Sequence, residues 1–186
     1  EGRAAIFDLL TDMQATFTKL ETPRIPVIAA IQGGVFGGAT DMALACDFRL
    51  GLPSCEMFVP AARLGLHFYR GGLERYVNRL GLSMAKRVLL AGETLDAQTM
   101  LDCGFLDRLL PDAATLHTEA QALCERLGGY APLALEGMKR HLNAIAQGRL
   151  DEAALRQDIA RANASDDLAE GVRAWQEKRT PRFLGH

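Results

Sequence analysis

The sequence lacks the features that mark several specialised classes of protein. No apolar run in its 186 residues approaches the roughly 20 residues that a membrane-spanning helix requires. Lysine and arginine (21) nearly balance aspartate and glutamate (23), so the formal charge is -2 and there is no global basic footprint for nucleic acid. We therefore expect an ordinary globular protein with no membrane span and no nucleic-acid partner.

Cysteine is scarce as well, with four residues and no C-x-x-C pair. The wide spacing of Cys46, Cys55, Cys103 and Cys124 favours reduced structural thiols over zinc ligands or disulfides. We expect no metal site, and we expect a reducing, cytoplasmic compartment.

An initiator methionine is also missing. Glu1 already lies in a pattern of apolar residues at helical spacing. The members of this pattern are Ile6, Leu9, Leu10, Met13, Phe17 and Leu20. We expect further sequence, and with it any targeting peptide, upstream of Glu1.

The first part of the chain contains an α/β pattern. Val27-Ile28-Ala29-Ala30-Ile31 is a continuous apolar run, typical of a strand buried on both faces. Glycines end this strand, a helix from about Gly38 to Cys46 follows, and residues 47–52 form a second strand. Residues 56–59 are a candidate third strand. The order strand, glycine turn, helix, strand predicts a βαβ unit with short connections.

From Gly71 onward the periodicity is helical almost throughout. Gly104 is expected to cap a helix near 97–101. Four further helices are predicted at about 115–127, 132–147, 150–164 and 166–178. This pattern divides the chain into an α/β core region at 1–112 and a helical region at 113–186.

The glycine-rich stretch GGVFGGATD, which begins at Gly33, is the strongest local feature. Glycine permits positive φ and close approach to the main chain, and a helix N-terminus presents unpaired N–H groups. The spacing fits neither the G-x-G-x-x-G dinucleotide fingerprint nor the G-x-x-x-x-G-K-[ST] phosphate loop. Residue types alone leave two alternatives, a structural turn or a site for an anion or a developing oxyanion.

Five segments of the chain match one known pattern in order and spacing. The stretch IPVIAAIQGGVFGGATDMALACDFRL is similar to K-P-V-I-A-A-V-x-G-x-A-x-G-G-G-x-E-L-A-L-A-C-D. Residues 58–66 match F-x-x-P-E-x-x-x-G, 90–93 match L-T-G-E, 97–106 match A-x-x-A-x-x-x-G-L-V, and 166–179 match S-x-D-x-x-E-G-x-x-A-F-x-E-K-R. Together they resemble the crotonase family, the enoyl-CoA hydratases and isomerases. The resemblance covers about residues 5–183 and implies an α/β fold, a crotonase-like spiral of ββα units with a helical C-terminal appendage for trimerisation or as a lid.

The resemblance implies an acyl-CoA thioester site, with coenzyme A as part of the substrate and no other cofactor. In the family, the backbone N–H at the second glycine of G-G-G holds the thioester oxygen, and this glycine is Gly38 here. Removing one such donor typically costs about 10²–10³ in rate. The family's second donor lies in an earlier A-x-x-A-D-[LIV] segment, which these 186 residues do not contain.

The resemblance also implies two catalytic glutamates, one in G-G-G-x-E and one in P-E, but here these positions hold Asp41 and Ala61. Asp41 keeps a carboxylate and is either an acid or base, or a residue that caps or solvates the helix start. Ala61 cannot transfer a proton, and single-glutamate isomerases carry their acid at that same position. Ordinary hydratase activity is therefore doubtful, because a positioned acid or base contributes about 10²–10⁴ in rate.

The loop after P-E departs from the family's P-G-x-G-G-x-x-R-L, because His67, Tyr69 and Arg70 replace its small, open P-G. The family loop lines the acyl pocket. His67 or Tyr69 is therefore a replacement acid or base, a group that fills the pocket and selects the substrate, or part of an exposed loop. Contacts with the substrate are expected from Gly37, Ala61, Leu64 and Phe68.

Lys178 and Arg179 stand in the family's terminal E-K-R, which in several members lies near the adenine and phosphates of bound coenzyme A. A solvated helix face would carry the same charges, so both interpretations stay open. The resemblance further implies a homotrimer or a dimer of trimers.

Two functions are consistent with these residues. The first is an acyl-CoA-processing enzyme that stabilises a thioester enolate in a backbone oxyanion hole. The second is a catalytically impaired acyl-CoA-binding or assembly paralogue. The glycine stretch favours the first, and the absence of the P-E glutamate favours the second.

Overall fold

The computed structural model of the chain describes the backbone of residues 2–186, together with the side chains of residue 8 and residues 11–186. Glu1 and the side chains of Ile6, Leu9 and Leu10, which belong to the predicted first helix, lie outside the described residues. No helix in the described part of the chain has the length and the apolar character needed to cross a bilayer.

The described residues pack into two compact units. The first contains the residues up to Pro23 and Val27–Ala120, and the second contains Arg24–Pro26 and Gln121–His186. The sequence-based division of the chain at 112–113 stays a prediction.

The first unit begins with the helix Gly2–Glu21 (α1) and the strand Ile28–Ile31 (β1). The glycine stretch then supplies the strand Val35–Phe36 (β2) and the helix Gly38–Ala45 (α2), and the strands Phe48–Gly51 (β3) and Glu56–Phe58 (β4) follow. The predicted strand, helix and strand are confirmed. β2 was not predicted, because two residues between glycines are too few to show a hydrophobic period.

The rest of the first unit is mostly helical. A 3₁₀ turn, Ala62–Leu64, precedes the helix Arg70–Lys86 (α3), which is interrupted at Gly81 and continues into a π-helical turn, Arg87–Ala91. The strand Leu95–Asp96 (β5), the helix Ala97–Asp102 (α4) and the strand Arg108–Leu109 (β6) follow. The helix Ala113–Gly128 (α5) begins in this unit, and its residues from Gln121 onward belong to the second. Gly104, with a φ of 79°, lies just beyond α4 as predicted. The expectation of almost unbroken helix after Gly71 is wrong at β5 and β6, which have two residues each.

The strands form two three-stranded sheets, and the chain passes from one to the other between successive strands except from β4 to β5. β1, β3 and β6 form a parallel sheet, in which Ile28 pairs with Phe48 and Leu50 pairs with Arg108. In the other sheet β4 lies between β2, which is parallel to it, and β5, which is antiparallel. Parallel neighbours need a crossover connection, and α2 lies within the crossover from β1 to β3. The start of α2 is therefore fixed by both sheets.

The second unit contains the helices Pro132–Ala146 (α6), Glu152–Asn163 (α7) and Asp166–Glu177 (α8), within two residues of the predicted ranges. Asp158 of α7 lies 2.7 Å from Nε2 of the buried His141 of α6. Asp167 of α8 accepts hydrogen bonds from the backbone N–H groups of Leu184 (2.7 Å) and Gly185 (2.9 Å). These contacts hold the helices and the C-terminal segment of this unit together.

Gly37 is the position in the glycine stretch where the backbone requires glycine. It caps α2 with a φ of 56° and a ψ of -121°, values that L-residues with a side chain rarely adopt. We expect Gly37→Ala to lower the free energy of unfolding by about 1–3 kcal/mol, measured by urea denaturation. The control is Gly33→Ala, because a Cβ at Gly33 meets nothing within 4 Å. Equal losses for the two variants would contradict the assignment of strain to Gly37.

Candidate active site

The candidate site is built around the N-terminus of α2. Gly37 is the N-cap and Gly38 is the first residue of the helix. The first N–H groups of a helix have no partner within it and carry a partial positive charge. A Cβ at Gly38 would lie 2.1 Å from Cε of Met13 in α1, so the methionine side chain occupies that space. Packing against α1 is therefore a second reason for glycine at this position.

Asp41 lies in the first turn of α2, and its side chain is fully buried. Arg75 of α3 holds the carboxylate with two hydrogen bonds, from Nε to Oδ1 at 2.6 Å and from Nη2 to Oδ2 at 2.7 Å. The hydroxyl of Tyr69 donates to the same Oδ2. The carboxylate faces other side chains, which does not fit the interpretation of Asp41 as a capping or solvated residue.

Arg75 connects this carboxylate to a second one. Its side chain is 4% exposed, and Nη1 donates to Oε2 of Glu21, the last residue of α1, at 3.1 Å. Burial by itself lowers the pKa of Arg75, but the hydrogen bonds and charge of Asp41 and the charge of Glu21 outweigh it and raise that pKa above its ordinary value. Burial raises the pKa of Glu21, and the attraction of Arg75 opposes this shift.

Tyr69 is the half-buried member of this group. Burial, the hydrogen bond to Asp41 and the charge of Asp41 all raise the pKa of its phenol, so the hydroxyl stays protonated at neutral pH. The Tyr69 ring stacks on Phe68, and Phe68 meets Tyr76 edge to face, with 5.6 Å between centroids in each pair. A Cβ at Gly72 would lie 2.7 Å from the Phe68 ring, so glycine at this position gives the aromatic pair its space.

The other predicted residues of this region lie in different surroundings. Ala61 is buried in the main hydrophobic core. Leu64 is 66% exposed, and His67 is exposed with Nδ1 2.7 Å from its neighbour's carbonyl oxygen, that of Phe68. Of the two candidate replacement acids, Tyr69 is the one whose side chain bonds to Asp41.

Lys178 and Arg179 belong to the second unit. Arg179 donates to both carboxylate oxygens of Glu170, at 2.5 and 2.8 Å, and to Glu177 at 2.6 Å. Hydrogen bonds from Arg179 and from the Arg182 backbone lower the pKa of Glu170 to about 2. Lys178 ends α8 with a φ of 52°, the one positive φ among the non-glycine residues that the structure describes. Contact of these residues with coenzyme A stays a prediction.

Sequence reasoning missed Arg75 and Glu21. A signal for Arg75 was present, because Gly71-Gly72-Leu73-Glu74-Arg75 keeps the spacing of G-G-x-x-R. Glu21 gave a weaker signal: an acidic residue at the C-terminal end of a helix opposes the helix dipole and therefore needs a compensating contact.

The crystal structure of an enoyl-CoA hydratase from Bacillus anthracis is similar with a TM-score of 0.87 and 27% identity, over 98% of this chain and 71% of that one. This similarity confirms the predicted α/β fold of the crotonase type. The sequence model of the enoyl-CoA hydratase/isomerase family matches residues 7–186.

Curated relatives agree with this match. The enoyl-CoA isomerase/hydratase of Mycosarcoma maydis is 32% identical over 99% of this chain and 68% of its own length. The 2,3-dehydroadipyl-CoA hydratase of Escherichia coli is 30% identical over 91% of this chain and 67% of its own length. The chain belongs to the enoyl-CoA hydratase/isomerase family, and it spans about two thirds of the length of these relatives.

The buried ion pair predicts the effect of removing Arg75. We expect Arg75→Met to lower the free energy of unfolding by about 3–5 kcal/mol, because it leaves the carboxylate of Asp41 buried without its cation. Adding Asp41→Asn should restore part of this loss. Urea denaturation at neutral pH measures both changes.

Arg70 provides the matched control, because its side chain is 82% exposed on the same helix. We expect Arg70→Met to leave the urea concentration at the unfolding midpoint close to that of the wild type, because exposed ion pairs contribute little to stability. A double variant as unstable as Arg75→Met alone would show that the buried charge is not the cause.

Proposed function

We propose that this chain is part of an acyl-CoA-processing enzyme that stabilises a thioester enolate at the N-terminus of α2. The observation that carries the proposal is the arrangement around Gly38, which starts α2 three residues before the buried Asp41, itself bonded to Tyr69. A thioester oxygen that accepts a hydrogen bond from the Gly38 N–H would be stabilised further by the helix dipole as negative charge develops. The CoA thioesters in the names of the relatives support this substrate class.

In this proposal Tyr69 is the residue that exchanges a proton with the substrate. Its hydroxyl is half-buried and donates a hydrogen bond to the Asp41 carboxylate. An adjacent base of this kind can take the proton of a weakly acidic hydroxyl group and so activate it. Ala61 offers no second proton-transfer group at the P-E position. Hydration needs water to lose a proton while the α-carbon gains one, so we expect crotonyl-CoA hydration to be slow or undetectable.

The second candidate is an acyl-CoA-binding or assembly paralogue that has lost turnover. One observation favours it: both oxygens of the Asp41 carboxylate already accept hydrogen bonds from Arg75. A protein of this kind would bind acyl-CoA but would not exchange its α-protons.

A homotrimer or a dimer of trimers is proposed as the assembly. The second unit supports this because apolar side chains are exposed on α6, α7 and α8. These side chains are Met138, Leu142, Ile145, Ile159, Leu168, Val172 and Trp175. Large exposed apolar surfaces often mark interaction sites in soluble proteins.

A reducing, cytoplasmic compartment is proposed with the enzyme. The thiol of Cys55 supports it: Cys55 is buried and donates to the carbonyl oxygen of Ile31 at 3.2 Å. Burial raises the pKa of this thiol, so little of it is the reactive thiolate at neutral pH.

The enolate proposal predicts selective binding and proton exchange. Calorimetry should give a lower Kd for butyryl-CoA than for free coenzyme A. NMR in D₂O should show exchange of the α-protons of butyryl-CoA, and Tyr69→Phe should reduce the exchange rate by about 10²-fold or more without weakening binding. Tyr130→Phe, an exposed tyrosine of the second unit, is the control and should match the wild type. Binding without exchange would instead establish the paralogue, and equal affinity for both ligands would remove the oxyanion assignment.

The assembly proposal predicts a change in the fluorescence of Trp175 when subunits associate. Trp175 is the only tryptophan of the sequence, and it is 86% exposed in the single chain. Its fluorescence emission should shift to shorter wavelength as the protein concentration rises and the trimer forms. Val172→Asp should keep the emission of an exposed tryptophan at all concentrations. A monomer in sedimentation at micromolar concentration would contradict the assembly.

A further inference from the structure

A buried chain of hydrogen bonds in the first unit ends on the carbonyl oxygen of Gly37, the N-cap of α2. The Thr40 hydroxyl donates to this oxygen at 2.5 Å, and it is also bonded to the hydroxyl of Tyr76 in α3. A carbonyl oxygen only accepts, and threonine has a single hydroxyl proton. Tyr76 is therefore the donor to Thr40, and the bonds run in one direction, from Tyr76 through Thr40 to Gly37.

Burial strengthens this chain. Thr40 and Tyr76 are both 0% exposed. Burial raises the pKa of the Tyr76 phenol, and this effect outweighs the opposing effect of the bond to Thr40, so the phenol stays protonated at neutral pH and remains a donor. Hydrogen bonds at low dielectric polarise one another along a chain, by about 10–30% per bond.

The carbonyl at the end of the chain belongs to the same peptide unit as the N–H of Gly38. A peptide unit is planar and trans, so its C=O and N–H point in opposite directions and the direction of one fixes the other. The Gly37 carbonyl is held by Thr40 twice, through the hydroxyl and through the backbone N–H at 3.2 Å. The Gly37 N–H donates to the carbonyl oxygen of Phe58 in β4 at 2.9 Å. Both peptide units next to the Gly37 Cα are therefore held, and the Gly38 N–H has a defined direction.

We propose that Thr40 and Tyr76 are positioning residues for the oxyanion site, which hold and polarise the peptide unit between Gly37 and Gly38. A carbonyl that accepts a strong hydrogen bond draws electron density from the amide nitrogen, so the N–H becomes a stronger donor. The inference rests on the proposed function, because it concerns the N–H that would hold the thioester oxygen. It is separate from the role proposed for Tyr69, since it acts on the oxygen of the substrate and not on its α-proton.

The first test compares Thr40→Val, which removes the hydroxyl but keeps the shape of the side chain, with Thr40→Ser, which keeps the hydroxyl. The exchange of the α-protons of butyryl-CoA is measured by NMR in D₂O at saturating ligand. Removing an oxyanion donor outright costs about 10²–10³ in rate, so a loss of about 10–30% of its strength corresponds to about twofold to eightfold. We expect Thr40→Val to lower the rate by at least this factor and Thr40→Ser to stay close to the wild type. The affinity should fall less than the rate, because the oxygen carries more negative charge in the enolate than in the thioester.

Tyr76→Phe tests whether the two hydroxyl groups act in series. It keeps the ring that packs against Phe68 and removes the donor to Thr40. We expect the exchange rate to fall by about twofold to eightfold. Adding Tyr76→Phe to Thr40→Val should cause no further loss, because Tyr76 reaches the peptide unit only through the Thr40 hydroxyl. The matched control is Thr118→Val in α5, whose hydroxyl donates to the helix carbonyl of Ala114 and whose loss should leave rate and affinity unchanged.

Two spectroscopic measurements follow the polarisation itself. Infrared difference spectra of butyryl-CoA with a ¹³C carbonyl report the thioester C=O stretch, which falls in frequency as the oxygen accepts a stronger hydrogen bond. We expect the bound carbonyl to absorb at higher frequency in Thr40→Val and in Tyr76→Phe than in the wild type. In the ligand-free protein, the carbonyl ¹³C resonance of Gly37 and the amide ¹⁵N resonance of Gly38 should move upfield in both variants and stay close to the wild type in Thr40→Ser.

The outcomes separate this inference from the proposed function. Equal losses in Thr40→Val and Thr40→Ser, with the C=O stretch and both resonances unmoved, would make the chain merely structural and would overturn the inference. A wild type that binds butyryl-CoA no better than free coenzyme A, but whose two resonances move in Tyr76→Phe, would refute the oxyanion proposal while supporting the polarised peptide unit. If Thr40→Val folds poorly because it leaves the Tyr76 hydroxyl buried without an acceptor, Tyr76→Phe gives the same readouts.

Discussion

The packing of the first unit depends on the buried guanidinium of Arg75, whose N–H groups all need hydrogen-bond acceptors. Arg75 is 4% exposed, and burying such a charge is costly unless several acceptors surround it. Its acceptors come from two other helices, α2 and α1, so one side chain fixes the mutual positions of three helices. Asp41 lies in the first turn of α2, so the start of this helix is held by the same contacts. Stability and site geometry are therefore coupled in the same few atoms.

The aromatic residues of the loop before α3 contact two of the same helices, α2 and α3. Tyr69 can reach Asp41 because Phe68 packs between it and Tyr76, and because Gly72 leaves room for the two rings. Here the loop carries two stacked aromatic rings and a hydroxyl group that bonds to Asp41 of α2, while Ala61 lies in the hydrophobic core.

Sequence patterns predicted the longer helices and strands of this structure. The helices α5 to α8 and the unit formed by β1, α2 and β3 were found because each has enough residues to show its hydrophobic repeat. The two-residue strands β2, β5 and β6 are too short to show such a repeat. They are recognised as strands only by their hydrogen bonds to neighbouring strands. The same limit applies to the site. Asp41 and Tyr69 were recognised by position in a motif, but the ion pair between Glu21 and Arg75 joins residues 54 apart in sequence, and local patterns do not contain that information.

The alternation of the chain between two sheets has a consequence for synthesis on the ribosome. β3 stays open on one side until Arg108 and Leu109 have emerged to pair with Leu50 and Gly51, and β4 waits in the same way for β5. α1, α2 and α3 all leave the exit tunnel before these strands. Asp41 and Arg75 can therefore form their buried ion pair before β6 has paired with β3 and before β5 has paired with β4. The nascent chain then buries these two charges before its two sheets are complete.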